Sequence, residues 1–367
     1  MGYVAVKGGE KAIAEAARVT EFLRTNDSSG ASVSAETIET QLRLLHSRVQ
    51  SEGGLYDPEL ASLAIKQSAG DPLEAAYFLR AYRSTRPRLG VTPIQDSSKM
   101  RLIRRISSAF KEIPGGQRIG PTSDFTQRLF RQRLLKESPE EFQAIASSWF
   151  RDTPTREVPD SFPKVIRALR AEGLLRPRQE REAPPFDVTR EPIVFPLPRS
   201  GALSIMARGE TGGLLALAYS NMRGYGDVHP TIAELRVGYL PVEVPHPLTG
   251  EMIEIGEVLM TECEVVASHR IDPESGEVYL TTGYGACFGH NETKAICMAI
   301  LDRALDNGRR FGIENPSEDP EFVLMHVDGI DSMGFAIHYK MPHYVTFESD
   351  LDRARKTREE LASREGS

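Results

Sequence analysis

The sequence predicts an α+β protein, with a helix-rich N-terminal half followed by a mixed, largely antiparallel β-sheet region with packed helices. Three observations predict it. Apolar residues recur at helical spacing through the first third of the chain. A proline- and charge-rich stretch at 176–185 then interrupts the pattern. Beyond it, short apolar runs separated by turn residues dominate. Helices first and strands afterwards mark an α+β chain, whereas strict alternation would mark a doubly wound sheet.

The elements follow in order. Tyr3-Val-Ala-Val6 reads as a short strand running into Lys7-Gly8-Gly9. Residues 10–24, 36–52 and 57–69 are amphipathic helices. Residues 71–83 form another, because Asp71-Pro72 supplies an N-cap followed by proline at the first helical position. Residues 100–113 also carry helical spacing, ended by Pro114-Gly115-Gly116. Strands are expected at 193–196, 234–244, 254–266 and 278–282, with helices at 212–222 and 291–307. The second of these helices opens at Asn291, a good N-cap, with Glu292 complementing the helix dipole. A strand at 333–344 and a charged helix at 348–364 close the chain. The expected domains are a helical unit at 1–136, an irregular connection at 137–191 and an α+β unit at 192–367.

Composition excludes several functions. The chain is 40% hydrophobic and 26% charged, as in soluble globular proteins. A net charge of −7 provides no basic field for nucleic acid, so no nucleic-acid partner is expected. Cys263, Cys287 and Cys297 form no CxxC pair, which argues against a disulfide framework or zinc ribbon. The N-terminus has no signal-peptide apolar run, and Val6 stands where myristoylation wants Ser or Thr. No run reaches the ~18 apolar residues of a membrane span, so a cytoplasmic location is expected.

Two constellations carry chemistry. In Met260-Thr-Glu-Cys-Glu264, strand periodicity puts Glu262 and Glu264 on one face. Such a pair can act as acid and base or stabilise a sugar oxocarbenium ion; its plain alternative is an exposed strand face. Cys287 reads as a small buried residue. Residues 325–344 hold three of the eight histidines: His326, His338 and His343. An offset of five puts His338 and His343 on opposite faces of a strand, or about 140° apart on a helix. Pro342 breaks any regular element here, and a kink before His343 could bring those rings together. Two imidazoles underfill a zinc shell, leaving His326, substrate, water or a partner to complete it. Glycine pairs recur, but no GxxxxGK[ST] is present and no GxGxxG follows a strand.

Tyr3-Val-Ala-Val-Lys-Gly-Gly-Glu-Lys-Ala12, Ala64-Ile-Lys-Gln67, Phe78-Leu-Arg-Ala-Tyr-Arg83, Arg104-Arg105-Ile106 and Ile113-Pro-Gly-Gly-Gln117 together resemble the subunit I family of the bacterial carbon–phosphorus lyase core complex. The likeness continues through Leu215-Ala-Leu-Ala-Tyr-Ser220, Arg223-Gly-Tyr-Gly226, Leu259-Met-Thr-Glu-Cys-Glu264, Asp302-Arg-Ala-Leu305, Glu321-Phe-Val-Leu324 and Pro342-His-Tyr-Val345. The blocks keep the family order over nearly the whole chain, except at 137–191. The resemblance implies a role in organophosphonate catabolism: displacing adenine from ATP at ribose C1′ with methylphosphonate, to give ribose 1-methylphosphonate 5-triphosphate. It further implies purine nucleosidase activity alone, ATP as co-substrate, and zinc or a similar divalent metal on His338 and His343. The implied partners are subunits G, H and J of that complex, with accessory subunits K and L.

Such a reaction needs cations or amides for the triphosphate and phosphonate. Lys7, Arg101, Arg104, Arg105 and the Gly115-Gly116 loop are the substrate-binding candidates. Glu262 or Glu264 would stabilise charge at C1′, and His326 or a glutamate would protonate the leaving purine. The competing expectation is a non-catalytic scaffold subunit that contributes half of an interface metal site.

Overall fold

The structure, a computed structural model, describes residues 9–26, 30–149, 162–177, 184–224 and 229–365. Among them are thirteen α-helices and four β-strands. The strand expected at 3–6 lies outside the described residues.

The N-terminal helices are α1 (Glu10–Thr25), α2 (Ala35–Gln41), α3 (Arg43–Gly53), α4 (Pro58–Gln67) and α5 (Pro72–Ser84). Their boundaries follow from capping. Ser34, Asp57 and Asp71 each accept a backbone N–H from the first turn that follows. The helix expected over 36–52 is two helices, broken at Leu42. Ile38, Val49, Ala61, Ile65, Ala75 and Leu79 form the small core of this bundle. By contrast α1 buries no residue.

The region expected to be a helix at 100–113 is a strand, β1 (Arg101–Ile106), followed by irregular chain. Leu102, Ile103, Ile106, Phe110 and Ile113 happen to fall at helical spacing. The backbone instead completes the edge of a sheet, with a bulge between Leu102 and Arg104. The connection expected to be irregular holds α6 (Pro139–Ser148) and α7 (Ile166–Ala171). Ser138 and Glu141 give α6 a reciprocal capping box, a signal present in the sequence.

Next come α8 (Arg199–Arg208), α9 (Thr211–Gly224), β2 (Thr231–Pro245), β3 (Met252–Ile271), β4 (Val278–Phe288) and α10 (Glu292–Phe311). No strand forms at 193–196, where Pro196 and Pro198 remove backbone donors. The sheet is antiparallel in the order β1-β2-β3-β4. Thr282-Gly-Tyr-Gly285 lies inside β4. The chain closes with α11 (Pro320–His326), α12 (Gly329–Tyr339) and α13 (Tyr344–Glu365). The strand expected at 333–344 is therefore mostly α12. Asp328 caps it by accepting from Ile330 N and Asp331 N, and that cap lies upstream of the stretch read as a strand. No described helix is long and apolar enough to cross a membrane.

The main core lies between one sheet face and α8 to α11, around Met206, Leu214, Leu235, Cys263, Met298 and Leu301. Helix α10 lies so close to β4 that glycine is required there. A Cβ on Gly283 would stand 1.9 Å from the Ala299 carbonyl oxygen, and one on Gly285 2.2 Å from that of Ala295.

Lys294 is wholly buried near the start of α10, its Nζ donating to Ser51 Oγ at 2.7 Å. Burial pushes its ammonium down to about 8, against opposing pulls from Cys287 and Glu52. Between that value and the ordinary lysine value near ~10.5, the unfolded chain holds more protons than the folded one. Stability therefore rises with pH across that window, and below it the full cost of the buried charge is present. Lys294→Met is expected to gain about 1–3 kcal/mol at pH 7 and to abolish the rise, as read from urea denaturation at several pH values.

Candidate active site

The turn after α12 brings His338 and His343 together. Met341 N donates to His338 O at 3.0 Å, closing the last helical turn, and Pro342 redirects the chain. The two Nε2 atoms end 3.1 Å apart, with ring centroids at 4.7 Å and ring planes at 88°. His343 Nδ1 lies 2.5 Å from Met341 O. Donation to that carbonyl assigns the proton to Nδ1 and leaves the Nε2 lone pair facing His338. Two nitrogens bound at 2.0–2.1 Å on a tetrahedral ion sit about 3.3 Å apart, so the pair fits one edge of a zinc shell. Among the described residues no cluster of three or more His, Cys, Asp or Glu residues is arranged to hold a metal. His326 stands apart at the end of α11, its Nδ1 2.6 Å from Phe322 O.

The second constellation lies on the sheet face opposite α10. Arg236 pairs with Glu262, and Glu234 with Glu264, across β2 and β3. Both site glutamates are buried, which removes the reading of an exposed strand face. Glu262 Oε1 accepts from Lys164 Nζ at 2.5 Å, Tyr284 OH at 2.9 Å and Ser97 Oγ at 3.0 Å. Lys164 also stands 3.9 Å from Glu264 Oε1. Glu234 Oε1 accepts from Arg105 Nε at 2.5 Å and forms an ion pair with Arg236, whose Nε stands 2.9 Å away. The face therefore balances Arg105, Arg236 and Lys164 against Glu234, Glu262 and Glu264.

The cation candidates divide by environment. Arg105 is fully buried and donates to Glu234 and to the carbonyls of Pro114, Gly116 and Pro163. Arg104 is buried against Asp124 and Glu292, each at 2.6 Å. Gly115 and Gly116 take φ values of 84° and 78°. A Cβ on Gly115 would meet Phe162 Cδ1 at 2.8 Å. The loop they form lends carbonyl oxygens to Arg105. Arg101 alone of the three arginines is exposed; it pairs with Glu257 at 2.7 Å and lies 4.5 Å over the Tyr239 ring. Lys7 lies outside the described residues. No hydrogen bond joins His326 to the carboxylates or to the histidine pair among the described residues.

Lys164, Tyr284, Ser97, Glu234 and Arg236 did not stand out in the sequence. Glu234 and Arg236 had a readable signal, since they alternate with Leu235 and Val237 as Glu262 and Glu264 alternate around Cys263. Cys263, Cys287 and Cys297 are free and buried, and burial raises each thiol well above its ordinary value. None is poised as a nucleophile.

Residues 2–361 match the family described as bacterial phosphonate metabolism protein (PhnI). A protein of Stutzerimonas stutzeri, HtxH, assigned by its name to a C-P lyase subunit, is 65% identical over 364 residues, covering 99% of this chain and 98% of that protein. The α-D-ribose 1-methylphosphonate 5-triphosphate synthase subunit PhnI of Escherichia coli is 43% identical over 98% of this chain and 99% of its own length. The subunit of the same name from Rhizobium meliloti is 40% identical over 98% of this chain and 95% of its own length. The chain therefore belongs to the bacterial phosphonate metabolism protein family, PhnI.

Proposed function

We propose that this chain is a subunit of a carbon–phosphorus lyase system and serves there in ribose 1-methylphosphonate 5-triphosphate synthesis. One observation carries the reading: near-full-length identity of 43% and 40% to two proteins named as subunits of that synthase. In the proposed reaction a methylphosphonate oxygen bonds to C1′ of ATP, and the C1′–N9 bond breaks. Its electron pair leaves on adenine, which takes up a proton. The proposed partners are subunits G, H and J with accessory K and L, and the proposed location is the cytoplasm.

The chain's own residues suit parts of this task. Lys164, Tyr284 and Ser97 all donate to Glu262 Oε1, so the second oxygen has no protein donor among the described residues. We assign that oxygen to the positive charge building at C1′, beside Glu264. His326 is the proposed proton donor to the purine. Arg101, with its exposed guanidinium, is the proposed contact for the triphosphate, together with Lys7 and the Gly115-Gly116 loop, in which the Gly116 N–H already donates to Ile113 O at 2.8 Å and the Gly115 amide is the proposed donor. Arg104 and Arg105 support it by holding the chain around that loop. His338 and His343 would hold zinc or a similar divalent ion, which supplies Lewis-acid polarisation of an oxygen ligand.

A second reading, a scaffold carrying half of an interface metal site, draws on the two-histidine shell, whose remaining ligands would then come from a neighbouring subunit. One experiment separates the two. In the assembled complex given ATP and methylphosphonate, Glu262→Gln is expected to slow adenine release and product formation by about 100-fold or more while assembly persists. Unchanged turnover would favour the scaffold. His338→Ala and His343→Ala are each expected to strip bound zinc, as counted by elemental analysis of the purified complex. Full metal content in both would remove the site.

A further inference from the structure

The two middle strands outrun the rest of the sheet. β1 pairs with β2 no further than Tyr239, and β4 pairs with β3 no further than Met260. Beyond those points β2 and β3 continue alone, as a ribbon, to a turn at 246–251. A two-stranded ribbon has two outer edges, each with backbone N–H and C=O groups free to pair.

The two edges differ. On β2, Glu243 N donates to Gln95 Oε1 at 2.9 Å, and Gln95 Nε2 donates to Glu243 O at 3.0 Å. The Gln95 side-chain amide thus takes the place of a neighbouring strand, and Lys99 Nζ donates to the Glu243 carboxylate at 3.0 Å. On β3, the last such contact is Gly289 N donating to Leu259 O at 2.7 Å. Along residues 252–258 no backbone hydrogen bond reaches the edge from outside the ribbon, among the described residues. Both backbone groups of Glu243 turn to Gln95, so Glu243 and Glu254 face each other as a pair without mutual hydrogen bonds. Glu254 therefore directs its own N–H and C=O outward.

The side chains along the open edge describe what would cover it. Leu248, Met252, Ile253 and Ile255 are exposed, an apolar series beside unpaired backbone. Ile255 is the extra residue of a bulge, opposite no residue of β2. The ribbon also carries four glutamates. Glu243 and Glu257 are paired with Lys99 and Arg101. Glu251 and Glu254 are exposed and have no cation partner among the described residues. Two such edges would repel each other, which disfavours a second copy of this chain; a strand bearing lysine or arginine would be attracted.

We propose that the edge of β3 at 252–258 is extended by a strand from a partner protein. That strand is a basic, partly apolar segment whose lysine or arginine side chains meet Glu251 and Glu254 and whose apolar side chains cover Ile253 and Ile255. Backbone pairing supplies the affinity, and the unpaired carboxylates select the partner. The proposal rests on the reading of this chain as a subunit of a larger assembly.

The test is amide hydrogen exchange on the full-length chain, alone and in the assembled complex. The outward amides of 252–258, that of Glu254 among them, are expected to exchange about 100-fold or more slowly in the complex than in the free chain. Glu254→Pro removes an outward N–H without touching a β2 bond, and the double variant Glu251→Lys with Glu254→Lys reverses the unpaired charge. Each is expected to weaken assembly about tenfold or more, with thermal melting of the free chain unchanged. The exchange measurement on the parent chain stands even where a variant fails to fold. A complex in which these amides stay fast, or folded variants that assemble as well as the parent, overturns the proposal and leaves the subunit reading intact. Protection that appears in the chain alone as its concentration rises assigns the edge to a second copy and also overturns it. A chain that does not assemble at all removes the subunit reading and this proposal with it.

Discussion

Gly283→Ala is expected to cost more than about 4 kcal/mol, enough to unfold much of the protein at 37 °C. The added Cβ would stand 1.9 Å from the Ala299 carbonyl oxygen and 2.8 Å from Arg303 N, both backbone atoms of α10. Backbone cannot swing aside as a side-chain tip can. The helix would have to retreat from β4 by about 1 Å or more, opening a close-packed core. That core includes Ala295, Met298, Ala299 and Leu301, all buried. Gly334→Ala is the control. It lies within α12 and a Cβ there meets nothing within 4 Å. Alanine should there leave stability unchanged or raise it by up to ~1 kcal/mol. Urea midpoints of the two variants check the contrast; similar midpoints would refute the close approach of α10 to β4.

Arg105→Met should lower stability by about 3–5 kcal/mol. The loss comes mainly from what the arginine leaves behind. Glu234 is 1% exposed and would lose its 2.5 Å donor, while the Pro114, Gly116 and Pro163 carbonyls lose theirs. An orphaned buried carboxylate costs more than the pair contributed. Adding Glu234→Gln should recover part of the loss, so the double variant should fall short of the sum of the singles by about 1 kcal/mol or more. Arg236 Nε and Val165 N also contact Glu234, which limits the recovery. Additive effects in the denaturation cycle would argue against a direct coupling.

Much of the fold was legible because its signals are local. Ser34, Asp57 and Asp71 cap their helices from adjacent residues, and the alternation in β2 and β3 lies within each strand. The misreadings occur where distant contacts decide. Residues 101–106 carry helical spacing, yet pairing with β2, far along the chain, makes them a strand. Lys164 was invisible for the same reason: its partner Glu262 lies 98 residues away and nothing nearby marks the lysine. The histidine pair was legible in one respect and not in another. Pro342 announced the turn that joins the rings, but the element before it is a helix. Its apolar residues, Phe335, Ile337 and Tyr339 among them, are largely exposed, so burial periodicity could not identify it.

The charged sheet face also bears on how the strands find their alignment. β2 and β3 are long enough to offer many alternative pairings, and hydrophobic alternation alone would tolerate sliding by two residues. A slide by one would turn Glu234, Arg236, Glu262 and Glu264 into the apolar layer beneath α10. A slide by two would set Glu262 opposite Gly238 or Glu234 in place of Arg236, leaving a buried carboxylate without its facing cation. The salt-linked face thus acts as a proofreader of strand alignment, penalising near-miss folds more heavily than it strengthens the correct one.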